Sequence, residues 1–170
     1  MAMLTVLLLS AVFSPLTQGS CISCGLQNTD PVAGSDPAPP SCPDGWKANG
    51  PHCFQYVRNP LSWSDALNNC LQLGGNLASI HSLAEERFLL SMSLTGSDAG
   101  ITWIGGHVAG YLHEVEFNWT DTSAPVYRHK LAQGPGPSPF CVTLEEPAAG
   151  SPQWFPAPCH RRHPSLCQNH

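Results

Sequence analysis

The stretch Ser62–Leu90, SWSDALNNCLQLGGNLASIHSLAEERFLL, carries the strongest periodic pattern in the chain. Its first half predicts an amphipathic helix with Ser62 as the N-cap, because apolar side chains recur at i, i+3, i+4, i+7 and i+8. This apolar face consists of Trp63, Ala66, Leu67, Cys70 and Leu71. We expect the helix to end at Gly74 and Gly75, since glycine adopts the left-handed C-cap conformation without a steric penalty.

The second half of the stretch predicts a short strand and another helix. Ala78 and Ile80 alternate with polar residues, as in a strand. Ser82-Leu83-Ala84-Glu85 is a capping box, which opens the second helix. We expect its inward face to consist of Ala84, Phe88, Leu89 and Met92. Because Cys70 lies on the buried face of the first helix, this helical unit is predicted to be cross-linked to a distant part of the chain.

Residues 1–19 predict a secretory signal peptide. Leu4–Phe13 is apolar but too short to span a membrane, and Thr17 and Gly19 are small residues that suit a cleavage site. We therefore expect a secreted, extracellular chain. The eight cysteines in 170 residues agree with an oxidising compartment, where disulfides are the default over metal ligation. Cysteine counting alone leaves roughly 105 pairings open.

The charge of the chain narrows the choice of partners. The formal net charge is −5, and only seven residues are Lys or Arg. No basic stripe runs along the sequence, so nucleic acid and anionic membranes are poor partner hypotheses. No later segment is long and apolar enough to be a transmembrane helix.

Residues 20–41 are rich in Pro, Gly, Ser and Asp, which predicts a flexible N-terminal arm. Cys21 and Cys24 in this arm could form a local disulfide, an interchain disulfide or a redox pair. The first two are favoured, because no helix N-terminus is evident that would lower a thiol pKa. Residues 42–168 form the predicted folded domain. Two early helices followed by short strands and long loops indicate an α+β fold.

The later part of the chain shows short strand-like segments separated by irregular ones. Predicted strands are Cys53–Val57, Ile101–Gly106, Phe117–Trp119, Phe140–Leu144 and Ser165–Gln168. His107–Glu116 is ambiguous. Ser123–Pro139 is predicted to be irregular because of its prolines and glycines, and Pro147–Pro158 is predicted to be a loop around Trp154.

The ordered landmarks resemble those of a C-type lectin-like domain over Cys42–Cys167. They include Cys-Pro-x-Gly-Trp, Ser-Trp-x-x-Ala-x-x-x-Cys, Gly-Gly-x-Leu-Ala-Ser-Ile and Trp-Ile-Gly. Within this family the chain is similar to small secreted fish lectins and type II antifreeze proteins. The resemblance implies two helices flanking small antiparallel sheets, with a long irregular loop region. It also implies the disulfides Cys42–Cys53, Cys70–Cys167 and Cys141–Cys159, and a core that contains Trp63, Leu77, Ile80, Trp103 and Ile104.

Sugar-binding members of the family hold calcium in this loop region through Glu-Pro-Asn or Gln-Pro-Asp and through Trp-Asn-Asp. Calcium requires six to eight oxygen ligands. At the first position this chain reads Gln133-Gly134-Pro135-Gly136, and at the second Trp154-Phe155-Pro156. Glu145 and Glu146 are the only carboxylates nearby in sequence, and two side chains do not complete such a site. We therefore expect no cofactor, with calcium as the alternative although its usual ligands are missing.

Three further patterns in the sequence bear on its chemistry. His160-Arg161-Arg162-His163, together with His107, His113 and His170, could bind zinc, but a solvated basic turn is the better interpretation. No nucleophile signature occurs, so enzymatic activity is not expected. Asn118-Trp119-Thr120 is an acceptor sequon for N-glycosylation.

These observations favour a secreted, non-enzymatic recognition protein that binds a glycan, a microbial surface, as in innate immunity, or a protein. The candidate residues of its ligand-binding loop are Tyr127, Gln133, Glu145, Glu146 and Trp154. The alternative is an ice-binding protein of the type II antifreeze kind, to which Thr120, Thr122 and Thr143 could contribute. Cys21 and Cys24 could also link a homo-oligomer.

Overall fold

The computed structural model describes residues 41–94, 100–111, 114–127, 131, 139–148 and 151–169. These residues belong to one compact unit, Pro37–His170. The predicted signal peptide and the arm with Cys21 and Cys24 lie outside the described residues. The elements are β1 (Lys47–Asn49), β2 (His52–Leu61), α1 (Trp63–Gln72), β3 (Asn76–Leu77), α2 (Leu83–Ser93), β4 (Thr102–Tyr111), β5 (Glu114–Trp119), β6 (Phe140–Ala148), β7 (Ser151–Ala157) and β8 (His163–Asn169).

Helix α1 has the predicted caps at both ends. The Ser62 hydroxyl accepts a hydrogen bond from the backbone N–H of Asp65 at 3.3 Å. At the other end Gly74 has φ +82°, and the N–H of Gly75 donates to the Cys70 carbonyl at 2.9 Å. Leu71 was expected on the buried face, but it is 54% exposed. It lies about 80° around the helix from Trp63, at 100° per residue, and therefore outside the buried arc.

Helix α2 begins at the predicted cap, and its buried face matches the predicted one except at Ala84, since Phe88 also packs against the core. The Ser82 hydroxyl accepts from the N–H of Glu85 at 3.1 Å. Ala84 is exposed, so its predicted inward position is wrong, whereas Leu89 and Met92 are buried as expected. The buried stripe passes instead through Glu86. A carboxylate can occupy this stripe because the protein supplies it with a hydrogen-bond donor, Tyr127.

The strands form a mixed sheet in the order β1-β2-β8-β4-β6-β7, with β3 paired to β8 and β5 paired to β4. Strand β8 is antiparallel to β2 and parallel to β4. The α+β class is confirmed, although the strands are joined into one mixed sheet rather than into separate antiparallel ones. No helix in the described part of the chain has the length and apolar character needed to span a bilayer.

The predicted loop Pro147–Pro158 is wrong, because most of it is strand β7. This strand pairs with β6 and places Leu144 opposite Trp154. It lies at the end of the sheet order, where a strand tolerates proline since one edge needs no backbone donors. The ambiguous segment after Gly106 is also resolved, because β4 and β5 form an antiparallel pair there.

Three disulfides stabilise the described domain, and they are the pairs that the resemblance implies: Cys42–Cys53, Cys70–Cys167 and Cys141–Cys159. The second joins α1 to β8 across 97 residues of sequence. In the chain-entropy description, closing a loop of that length stabilises the fold by ~4.7 kcal/mol, and the two short loops contribute about 3 kcal/mol each.

The core contains most of the side chains expected there. Leu77, Ile80, Trp103 and Ile104 are fully buried. Trp63 is only partly buried, and its indole N–H donates to the Ile104 carbonyl at 2.9 Å. This placement follows from the amphipathic nature of tryptophan, whose polar N–H finds a partner at the edge of an apolar core.

Candidate ligand-binding face

The segment Thr120–Tyr127 leaves β5 and is held to the domain by a cluster of polar side chains. We call Ser79, His81, Asp121 and Ser123 the polar anchor. The Ser79 and Ser123 hydroxyls donate to different oxygens of Asp121, each at 2.6 Å. The backbone N–H of Ser123 also donates to Asp121, at 2.9 Å. The anchor therefore fixes the start of the loop to the connection between β3 and α2.

The proton positions in the polar anchor follow from its geometry. His81 Nε2 lies 3.1 Å from both serine hydroxyls. Because each hydroxyl gives its single proton to Asp121, the imidazole must be the donor to both serine oxygens. Burial opposes ionisation of Asp121, but the hydrogen bonds from Ser123 and Ser79 outweigh it and hold the pKa of this carboxyl below its usual value.

This arrangement does not have the order of a hydrolytic triad. In such a triad the carboxylate orients the histidine, and the histidine takes the proton of the serine. Here Asp121 accepts from both serines, and His81 donates to them. The edge of the His81 ring also packs on Trp119, with 6.2 Å between ring centroids. The geometry is suited to holding a loop in place, not to activating a nucleophile.

Sequence reasoning did not single out the polar anchor. The one local signal was Asp121-Thr122-Ser123, since an aspartate that accepts from the backbone two residues later is a common turn. Ser79 and His81 are about forty residues earlier, and only the fold brings them to Asp121.

An aromatic cluster lies beneath the loop and includes Trp154, which we expected to be an exposed ligand anchor. Trp154 is only 2% exposed, so it does not serve that role. Its ring stacks on Phe117, with centroids 5.7 Å apart and an interplanar angle of 18°, and the edge of Trp119 packs on it at 5.2 Å. Its burial follows from the pairing of β7 with β6, which the sequence did not predict.

Tyr127 closes the described part of the loop. Its hydroxyl donates to the Glu86 carboxylate on α2 at 3.1 Å. Burial and the negative charge of Glu86 together raise the pKa of Tyr127 to about 12. The tyrosine is partly buried, with its ring 6.0 Å from that of Trp154. It therefore holds the loop against α2, and it stays protonated at physiological pH.

The outward side of the same segment is uncharged. Exposed and partly buried residues alternate along it, although Thr122 has φ +63° and lies in a turn. We call Thr122, Ala124 and Val126 the outer row, since all three are exposed, and Val126 is 79% exposed. Asp121 and Ser123, on either side of Thr122, turn their side chains toward each other within the polar anchor. The charged atoms of this face are thus turned inward and the small uncharged groups outward.

The predicted acidic residues of the face do not form a metal site in the described structure. Glu145 accepts a hydrogen bond from the Thr143 hydroxyl at 2.7 Å, and Glu146 is partly buried on β6. Within residues that the structure describes, no group of three or more His, Cys, Asp or Glu side chains could hold a metal. His107, His160 and His163 are among these described residues, so they do not form a metal site with their neighbours. Gln133, His113 and His170 lie outside the described residues.

The threonines of the ice-binding hypothesis and the N-glycosylation sequon lie in different environments. Thr143 is fully buried, so it cannot face ice. The Thr120 hydroxyl donates to the Asn76 side chain at 2.6 Å. Thr122 belongs to the outer row. Asn118 is exposed on β5, where it lies opposite His107 on β4.

Comparison with known proteins establishes the family. The domain profile described as Lectin C-type domain matches residues 59–169. This match spans α1, α2 and the sheet from β4 to β8, together with the face described above. The chain belongs to the C-type lectin domain family, and the resemblance expected from its sequence landmarks is confirmed.

The relatives include both antifreeze proteins and lectins. The chain is 35% identical over 167 residues to a type-2 ice-structuring protein of Hemitripterus americanus, covering 97% of this chain and 98% of that protein. It is 39% identical over 90 residues to the galactose-specific lectin nattectin of Thalassophryne nattereri, covering 52% and 55% of the two chains. Among solved structures, a calcium-independent type II antifreeze protein is similar with a TM-score of 0.62 and 32% identity, covering 75% of this chain and 93% of that one.

Proposed function

We propose that the protein is a secreted, non-enzymatic recognition protein that binds a glycan, a microbial surface or a protein through its loop face without calcium. The observation that carries this proposal is the orientation of the loop carboxylates. Asp121 accepts from Ser79 and Ser123, and Glu145 accepts from Thr143. Within the described residues these carboxylates do not belong to any group of three His, Cys, Asp or Glu side chains that could hold a metal, and calcium requires six to eight oxygen ligands.

The outer row is the surface on which such binding would depend. Val126 projects into solvent from a segment held rigidly at both ends, by the polar anchor and by Tyr127. Rigid presentation lowers the entropy cost of binding, and exposed apolar groups next to polar ones suit a sugar face or a protein partner. The family membership and the fish lectin relative support a ligand of this general kind.

A glycan array and whole-microbe binding, each with and without EDTA, test the proposal. We expect binding that survives chelation and that Val126→Asp abolishes. The matched control is Leu71→Asp, which places the same charge on an exposed apolar residue of α1 and should leave binding unchanged. Binding that is lost with EDTA and restored by Ca²⁺ would contradict the proposal, as would equal effects of the two variants.

Ice binding is the second candidate function. The outer row favours it, because Thr122, Ala124 and Val126 are uncharged and exposed at alternate positions of one segment. An ice-structuring relative that is similar over 97% of this chain supports the same hypothesis. Against it, two of the three candidate threonines are engaged elsewhere, since Thr143 is buried and Thr120 binds Asn76.

A nanolitre osmometer distinguishes the two candidates. If the protein binds ice, concentrated solutions should show thermal hysteresis and faceted crystals, and Ala124→Lys should abolish both, whereas Leu71→Lys should not. Freezing at the melting point with round crystals would exclude this function and leave the glycan or protein ligand.

The state of assembly is a separate part of the proposal. Cys21 and Cys24 precede the described domain, and an interchain disulfide there would bring several loop faces together and raise avidity for repeated ligands. We expect an oligomer on a non-reducing gel that a reducing agent converts to monomer. A monomer under both conditions would exclude the linkage.

A further inference from the structure

A group of basic side chains gathers where strand β2 meets the turn between β7 and β8. The members of this basic corner are Arg58, His160, Arg161 and Arg162, and all four are exposed. They come from two distant segments, a bulge in β2 and the turn between β7 and β8. We propose that the basic corner is a second binding surface of this protein and that it takes sulfated polysaccharide.

Strand pairing brings the two segments together. In the β2–β8 pair, Val57 lies opposite Ser165 and Leu61 opposite His163, with a bulge between them. Arg58 lies in this bulge. The guanidinium of Arg162 reaches across to it, and its Nε donates to the Pro60 carbonyl at 3.3 Å. The tertiary fold therefore concentrates cations that the sequence places about a hundred residues apart.

The basic corner is built on rigid backbone. The N–H of Arg161 donates to the Pro158 carbonyl at 2.9 Å, and the N–H of Trp63 donates to the Cys159 carbonyl at 3.0 Å. Cys159 is also joined to Cys141 by a disulfide. A surface fixed in this way presents its charges with little entropy cost when a ligand binds.

Two acidic side chains on neighbouring elements, Asp65 on α1 and Glu145 on β6, accept hydrogen bonds within the protein. Asp65 accepts from the Ser62 hydroxyl at 2.6 Å, and Glu145 accepts from the Thr143 hydroxyl at 2.7 Å. His163 senses both Glu145 and Arg161, but burial dominates and lowers its pKa, so we do not count it as a cation. The three exposed guanidinium groups of the corner outnumber these two carboxylates, so the charge that a ligand meets there is positive.

The chemistry of the corner favours a sulfated chain over an anionic membrane. Guanidinium groups bind tetrahedral oxyanions through two parallel hydrogen bonds, and a polysaccharide offers such groups at repeated positions. Membrane surfaces are bound by combining cations with apolar side chains that enter the lipid. In the described domain, the large exposed apolar residues are Leu71, Leu73, Leu83, Leu94, Ile101 and Val126. None of them belongs to the two segments that form the corner.

Binding to immobilised heparin, measured at increasing NaCl concentration, tests this inference. Arg58→Gln/Arg161→Gln should weaken binding about tenfold, which corresponds to ~1.4 kcal/mol shared between two exposed charge contacts. The matched control is Lys47→Gln/Arg87→Gln, which removes two exposed cations from β1 and α2 and should change binding less than twofold. Arg162 is left intact because it also contacts the Pro60 carbonyl.

Further measurements test whether binding is specific to this surface and to sulfated polysaccharide. Val126→Asp should retain heparin binding, because Val126 belongs to neither of the two segments that form the corner, and chelation should have no effect. Anionic phospholipid vesicles and unsulfated dextran should not be bound. Equal weakening by the two double variants, binding that salt does not diminish, or binding to vesicles in place of heparin would overturn the inference.

Discussion

Removing the charge of Asp121 should loosen the polar anchor without removing the side chain. Asp121→Asn preserves the shape of the residue but replaces one of its two acceptor oxygens with a donor. Two oxygens now accept three hydrogen bonds, from the Ser79 hydroxyl, the Ser123 hydroxyl and the Ser123 N–H. In the variant Ser79 would have to turn its proton toward Gln168, whose side-chain oxygen is 3.2 Å away.

The expected cost can be worked from these contacts. A hydrogen bond to a charged group contributes about 1.5–3 kcal/mol and a neutral one about 1 kcal/mol, so three weakened bonds amount to roughly 1.5–6 kcal/mol. Solvent screens part of this because Asp121 is only partly buried, and removing the charge also relieves its desolvation. We therefore expect the free energy of unfolding to fall by about 2 kcal/mol at pH 7.

The pH dependence gives the decisive readout. The pKa of Asp121 in the folded protein lies below its ordinary value of 3.8. Its ionisation therefore stabilises the fold fully above that value, and this stabilisation is lost as the pH falls through the folded pKa. Urea unfolding followed by tryptophan fluorescence should show the largest difference between wild type and Asp121→Asn near pH 7. The difference should shrink on acidification.

The matched control is Asp44→Asn, which makes the same chemical change at an exposed turn residue. It should alter the unfolding free energy by less than about 0.5 kcal/mol, as is usual for surface sites. If Asp121→Asn falls within that same margin, or if its deficit is undiminished at low pH, the reasoning about the polar anchor is refuted.

Three further changes have defined outcomes. Gly105→Ala should destabilise the fold by about 2 kcal/mol or more in chemical unfolding, because its new methyl group would lie 2.8 Å from the Leu77 carbonyl oxygen; an unchanged midpoint would contradict this packing. Replacing both Cys70 and Cys167 with alanine should lower stability by about 3–5 kcal/mol, and a loss below about 1 kcal/mol would show that the loop-entropy argument fails here. Protein secreted from eukaryotic cells should lose mass on treatment with an amidase that removes N-glycans, and Asn118→Gln should abolish that shift; equal mobility of all samples would mean that Asn118 is not glycosylated.

Local signals predicted the helical unit well. Ser62, Ser82 and Gly74 act through neighbours within three or four residues, so their roles are legible in the sequence alone. The strand β7 was missed for a non-local reason. Its prolines argue against a strand, and only its position at the end of the sheet makes them acceptable.

The burial of side chains at the ligand-binding face was harder to predict from the sequence. Trp154 was expected to be exposed because aromatic residues in loops often contact ligands, but pairing of β7 with β6 buries it under the loop. Glu86 was not expected inside, because a buried carboxylate requires a partner such as Tyr127, which is 41 residues away in sequence.

The caps and ends of α1 and α2, the α+β class and the family can be predicted from the sequence, because they depend on short-range spacing and on the order of a few landmarks. Which groups of the loop face outward, and which charges gather at the basic corner, becomes visible in the folded domain. Asp121 meets Ser79, and Arg162 meets the β2 bulge, across gaps of 42 and 102 residues. Contacts over such long sequence separations are created by strand pairing and burial. The local periodicity of the sequence carries no information about which strands pair.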